Sequence, residues 1–174
     1  MRWLGLLGMA GAIWTTVTIG WIHPAMGDAL MDSSKVHLGV TTLNVAWGDD
    51  ANVRVSMTVR KAGQCALSRS DYWGTDGDAP KTVITRMLVT VGGDEATVPF
   101  RAYGDLGEPS SVTATCDSEI TITVLGGDAA GRYSATFFLS GMVLKKRRVE
   151  SRTFPDEVWE EASYSMFRYG TGQP

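Results

Sequence analysis

The chain has 174 residues, with 16 basic and 19 acidic side chains, and its net charge at pH 7 is −3. A mildly acidic protein is a poor partner for nucleic acid or for anionic lipid, because both of these are polyanions. The two histidines and two cysteines provide few of the ligands that a zinc site requires.

Residues 1–27 have the pattern of a secretion signal. A short basic start precedes an uncharged apolar run from Trp3 to Ile22, and Ala25-Met26-Gly27 then offers small residues at a cleavage site. We therefore expect export to the periplasm or the extracellular space, and a single mature domain over residues 28–174 that has no stable membrane insertion. An uncleaved anchor is the alternative, since an apolar run of about 20 residues is long enough to span a bilayer.

Apolar and polar side chains alternate repeatedly between Val36 and Phe167, and this period of two is typical of β-strands. Residues 53–60 are a clear example, with four apolar side chains on one face and four polar ones on the other. Short turn signals rich in Gly and Asp separate such segments. The pattern predicts about eight or nine antiparallel strands in a β-sandwich of the immunoglobulin-like or jelly-roll type.

The last predicted hairpin joins a basic run to an acidic one. Lys145–Arg148 lies before Phe154, and four carboxylates follow within residues 156–161. Antiparallel pairing around Phe154 would set Arg148 against Glu160 or Glu161, and Arg152 against Asp156 or Glu157. The sequence therefore predicts a hairpin with opposite charges across the ladder. A nucleic-acid or heparin patch is the alternative interpretation of the basic run.

Cys65 and Cys116 are the only two cysteines. In an oxidising compartment they predict one disulfide, and closing a loop of that length would stabilise the fold by about 4 kcal/mol. Two free thiols are the alternative.

A loop over residues 64–80 interrupts the strand pattern, because it is dense in Gly, Asp, Ser and Pro. The carboxylates of Asp71, Asp76 and Asp78 are spaced so that they could surround a calcium ion, although the spacing is not that of an EF-hand. Tyr72 and Trp73 are large aromatic residues in this polar loop. If exposed, they would stack on a sugar or anchor a protein partner; alternatively, Trp73 folds back and caps one end of the sandwich.

The usual signatures of catalysis are missing from the sequence. Only His37 follows the predicted signal, and it lies in a strand pattern, so a serine triad has no other candidate base. The chain has no nucleophile elbow, metalloprotease motif, phosphate-binding loop or dinucleotide fingerprint. We expect an exported, non-enzymatic binding or structural protein that needs no cofactor, unless it uses calcium.

Three other functional classes fit the same pattern. One is a carbohydrate- or calcium-dependent recognition module that uses the 71–78 loop. The others are a subunit of a surface fibre, whose partner is a second copy, and a small outer-membrane barrel. Protein and carbohydrate are thus both expected as partner classes, whereas nucleic acid is not.

Overall fold

The computed structural model describes five parts of the chain: residues 30–47, 51–63, 72–76, 78–154 and 156–165. The predicted signal peptide, Cys65 and Asp71 lie outside the described residues.

Ten strands and two short 3-10 turns make up the regular structure of the described residues. The strands are β1 (Leu30–Lys35), β2 (Gly39–Trp47), β3 (Ala51–Lys61), β4 (Thr82–Val91), β5 (Asp94–Ala96), β6 (Pro109–Cys116), β7 (Ile120–Gly126), β8 (Tyr133–Ser140), β9 (Val143–Ser151) and β10 (Val158–Ser163). The turns are Phe100–Ala102 and Ala129–Gly131. Within these parts of the chain, no helix has the length and apolar character that crossing a bilayer requires.

The strands form two antiparallel sheets. The larger has the order β1-β6-β7-β8-β9-β10, and the smaller has the order β2-β3-β4-β5. The predicted all-β class is therefore confirmed. The strand count exceeds the expected eight or nine, because β1 precedes the first alternating residue, Val36, and β5 has only three residues.

Inward-facing side chains of both sheets form one hydrophobic core. The apolar face predicted for β3 is an example, since Val53, Val55, Met57 and Val59 are all buried. The facing sheet contributes Ile120, Ile122 and Val124 of β7 and Tyr133, Ala135, Phe137 and Leu139 of β8. Burying one such large apolar side chain stabilises a fold by about 1.5–3 kcal/mol.

Hydrogen bonds join both edges of the small sheet to residues outside it. The β2 backbone N–H of Asn44 donates to the Asp32 carboxylate of β1 at 3.0 Å, and the Trp47 indole donates to the Asp117 carbonyl at 3.0 Å. At the other edge, the N–H of Thr97 donates to the Met142 carbonyl at 3.0 Å. The chain after β5 therefore reaches the start of β9 in the large sheet.

The charged hairpin of β9 and β10 forms, and one of the two predicted pairings of Arg148 is observed, whereas neither predicted pairing of Arg152 is. Arg148 lies opposite Glu161, and the Lys146 ammonium approaches the Glu161 carboxylate to 3.2 Å. Arg152 lies beyond the end of β9, and its N–H donates to the Arg132 carbonyl. Ser151, rather than Arg152, meets Glu157 through the backbone.

The predicted disulfide is not formed. Cys116 ends β6 with its side chain directed into the core, where it is 5% exposed and carries a free thiol. Burial raises the pKa of this thiol to about 11, which keeps it protonated and unreactive near neutral pH. Cys116 therefore serves as a small core residue.

Candidate functional site

Arg147 is a cation in the interior of the protein, with only 1% of its surface exposed. Its orientation depends on a register shift between β8 and β9: Phe138 pairs with Lys146 and Leu139 pairs with Leu144, so Lys145 is an extra residue. Such a bulge changes the parity of the strand. Arg147 consequently lies opposite the buried Phe137 and points inward.

Two carboxylates face the buried guanidinium. The terminal nitrogen Nη2 of Arg147 lies 2.8 Å from Oδ2 of Asp105 and 3.7 Å from Oε2 of Glu160. Both acids are partly exposed, whereas the arginine is not. A buried charge is tolerated when it is paired and hydrogen-bonded, and removing one partner is strongly destabilising.

Trp73 packs beside these charged groups and against the core instead of projecting freely from its loop. Its ring stacks on Trp159 of β10 with centroids 5.5 Å apart and planes 16° apart, and its indole N–H donates to Glu160 at 3.3 Å. This placement matches the alternative in which Trp73 caps one end of the fold. We call Arg147, Asp105, Glu160, Trp73 and Trp159 the arginine cluster.

The segment around Trp73 is also held through its backbone. The Trp73 N–H donates to the Asp105 carbonyl at 2.8 Å, and the Gly107 N–H donates to the Trp73 carbonyl at 2.9 Å. Gly74 then adopts a φ of +94°, and a Cβ there would lie 2.6 Å from the Tyr133 ring. Only glycine allows so close an approach in this conformation.

Tyr133 lies fully buried beneath this segment, and its hydroxyl donates to the Gly107 carbonyl at 3.0 Å. Burial raises the pKa of this phenol far above its usual range; the negative charge of Asp105 raises it further, while Arg147 partly opposes the shift. The phenol is therefore a neutral hydrogen-bond donor. Together with the arginine cluster, it fixes residues 72–76 and 103–107 onto the large sheet.

Two of the predicted calcium ligands, Asp76 and Asp78, border a separate, open cavity of about 250 Å³. Its lining includes Thr75, Asp76, Asp78, Lys81, Glu108 and Asp128. Asp76, Asp78 and Asp128 are exposed. Glu108 is already engaged, because its carboxylate accepts the backbone N–H groups of Lys81 and Thr82 and the Thr82 hydroxyl.

Metal binding at this acidic cavity is not supported by a preformed ligand set. Among the described residues, no three acidic, histidine or cysteine side chains are grouped so that they could hold a metal ion. Asp71, the third predicted ligand, lies outside those residues. Tyr72 is half-buried at the start of the same segment.

A larger cavity of about 480 Å³ lies on the outer face of the small sheet. Asn44, Asn52, Arg54, Thr90 and Gly93 line it. Asn44 of β2 pairs with Arg54 of β3, which pairs with Thr90 of β4. Sequence reasoning missed this row, because each of its members looks like an ordinary outward residue of its own strand.

No family model matches the chain, and no curated protein or solved structure is significantly similar to it.

Proposed function

We propose that the chain is an exported, non-enzymatic β-sandwich protein that acts by binding a ligand or partner. The observation that carries this proposal is the closed arginine cluster. Its buried cation is opposed by two carboxylates, and one of them accepts the indole N–H of Trp73, so its charged groups fasten surface segments to the large sheet. Two of the cavities among the described residues, the open acidic one and the one on the small sheet, are then candidate binding surfaces.

Export is supported by the basic start, the apolar run and the small residues before Asp28. Fractionation of cells that express the full chain, followed by mass measurement, tests it. We expect a protein that begins at Asp28 in the periplasm or the medium. An intact chain in the cytosol would contradict the proposal.

The non-enzymatic part of the proposal needs its own test. A screen of the purified exported protein with ester, glycoside, peptide and phosphate substrates should reveal no turnover. Turnover that a single carboxylate substitution abolishes would make the protein an enzyme.

A calcium-dependent recognition module is the second candidate, because Asp76, Asp78 and Asp128 line one cavity; in the described residues they are not grouped closely enough to hold a metal ion, so calcium would have to draw them together. Calcium titrated into the full-length protein by calorimetry should give a binding signal that Asp76→Asn weakens at least fivefold. Asp94→Asn is the matched control, since Asp94 is an exposed carboxylate that does not line this cavity. The absence of a signal, or equal effects of both variants, would eliminate this candidate.

A further inference from the structure

We propose that the cavity on the outer face of the small sheet binds a carboxylated sugar unit of an acidic polysaccharide, with Arg54 as the carboxylate anchor. This inference rests on the proposed binding function and names its ligand class. It involves neither the 71–78 loop nor the arginine cluster.

The side chains of the cavity form a row across three strands. Asn44, Arg54 and Thr90 occupy directly paired positions on β2, β3 and β4. Directly paired side chains of antiparallel strands lie about 5 Å apart, so the row spans about 10 Å. Asn52 lies on the same face two residues before Arg54 and adds a second amide to the lining.

The guanidinium of Arg54 is oriented before any ligand arrives. Its Nε donates to Oδ1 of Asn44 at 3.0 Å, which leaves its two terminal nitrogens to bind a carboxylate in the bidentate manner that arginine favours. Asn44 is held in turn, because its own backbone N–H donates to Asp32. Its side-chain amide nitrogen remains as a further donor.

The charge and the hydrogen-bonding groups of the cavity lining indicate which class of ligand fits it. The protein carries a net charge of −3, yet Arg54 is the one charged residue among the described residues that line the cavity. The amides and the hydroxyl around it both donate and accept, as sugar hydroxyl groups do. A ligand with a carboxylate and several hydroxyls therefore matches the lining better than a simple anion. The volume of about 480 Å³ is within the usual range for small ligands.

Glu95 is a negatively charged neighbour of the cavity, so it should weaken the binding of an acidic sugar. It pairs with Thr90 and extends the row onto β5, where its carboxylate repels an approaching anion. Removing that charge should strengthen binding.

Sodium polygalacturonate, titrated into the purified exported protein, is the first probe. Fully methyl-esterified polygalacturonate lacks the charge, and poly-L-glutamate lacks the hydroxyls. We expect binding of the first polymer and at least tenfold weaker binding of the other two. Binding of poly-L-glutamate at equal strength would overturn the proposal in favour of an acidic peptide.

Variants then locate the site. Arg54→Gln should weaken binding at least tenfold, and Glu95→Gln should strengthen it about twofold. Arg86→Gln is the matched control, because Arg86 is exposed on β4 but does not line the cavity; it should change binding less than twofold. Equal losses in the two arginine variants would show general attraction between charges and overturn the assignment.

Melting temperatures separate loss of the site from loss of the fold, and both arginine variants should melt within about 2 °C of the original chain. If the exported protein binds none of the polymers, this ligand assignment fails while the proposed function stands. A cytosolic or catalytic protein would instead overturn the proposed function.

Discussion

Arg147 and Asp105 form an ion pair of 2.8 Å between the interior of β9 and the turn that precedes β6. The backbone of Asp105 in turn receives the N–H of Trp73, and Trp73 stacks on Trp159 of the last strand. Three parts of the chain that are distant in sequence therefore meet at one buried cation. This contact determines how the 72–76 segment lies on the protein.

Replacing Asp105 with alanine should lower the free energy of unfolding by about 3 kcal/mol, because the guanidinium of Arg147, which is 1% exposed, would stay buried without its 2.8 Å partner. Urea unfolding at pH 7 measures the change. Arg148→Gln is the control, since Arg148 is about one-third exposed and pairs with Glu150 and Glu161 at the surface; its cost should stay below about 1 kcal/mol. Equal losses in free energy of unfolding would show that the buried ion pair stabilises the fold no more than a surface pair does.

Trp73→Ala should cost about 2–3 kcal/mol, since it removes a stacked ring, buried area and an indole hydrogen bond. Trp73→Phe should cost less, because it keeps a ring on Trp159. Thermal unfolding followed by circular dichroism compares the two. A melting temperature unchanged by the alanine variant would mean that Trp73 is not packed as observed here.

Gly74→Ala combines an unfavourable backbone conformation with collisions, because its Cβ would lie 2.6 Å from the Tyr133 ring and 2.7 Å from the Gly107 carbonyl oxygen. We expect a loss of at least about 3 kcal/mol. Gly39→Ala is the matched control, with a φ of +103° and no atom within 4 Å of the added Cβ. Strain alone should cost this variant about 1 kcal/mol, and similar losses at both positions would contradict the close contact with Tyr133.

Cys116 should make stability fall in alkaline solution. Its pKa is raised by burial from 9.0 to about 11, so the folded state retains the thiol proton after the unfolded chain has lost it. The contribution is complete below pH 9 and is lost as the pH rises through 11. Tyr133 and Tyr164, whose pKa values are also raised, act in the same direction.

Comparison with Cys116→Ala separates the effect of the thiol on the pH dependence of stability from the effect of the two tyrosines. Between pH 8 and pH 10.5, the original chain should lose about 2 kcal/mol more stability in urea unfolding than the alanine variant. If both proteins lose the same stability over this pH range, the thiol does not have a raised pKa and is not buried in the core.

Local patterns were sufficient to predict much of the fold. Alternation identified the inward face of β3, and complementary charges predicted that Arg148 meets an acid of β10. The inward turn of Arg147 was not predictable, because it follows from one extra residue, Lys145, in the pairing of β9 with β8. A basic run has no internal feature that marks such a bulge.

The candidate sites depend even more on distant contacts. Composition drew attention to the segment of Trp73, but the position of its ring depends on Trp159 in the last strand. The row of Asn44, Arg54 and Thr90 exists only through the register of three strands. Neither arrangement leaves a periodic or motif signal in the sequence.

A double-mutant cycle on Arg147 and Asp105 measures whether their ion pair fastens the 72–76 and 103–107 segments to the large sheet. Urea unfolding of the original chain, Arg147→Met, Asp105→Ala and the double variant gives the coupling energy between the two side chains. The geometry predicts a coupling of at least about 1.5 kcal/mol, with the double variant more stable than the sum of the single losses implies. A coupling below about 0.3 kcal/mol would show that this ion pair does not hold the two segments in place.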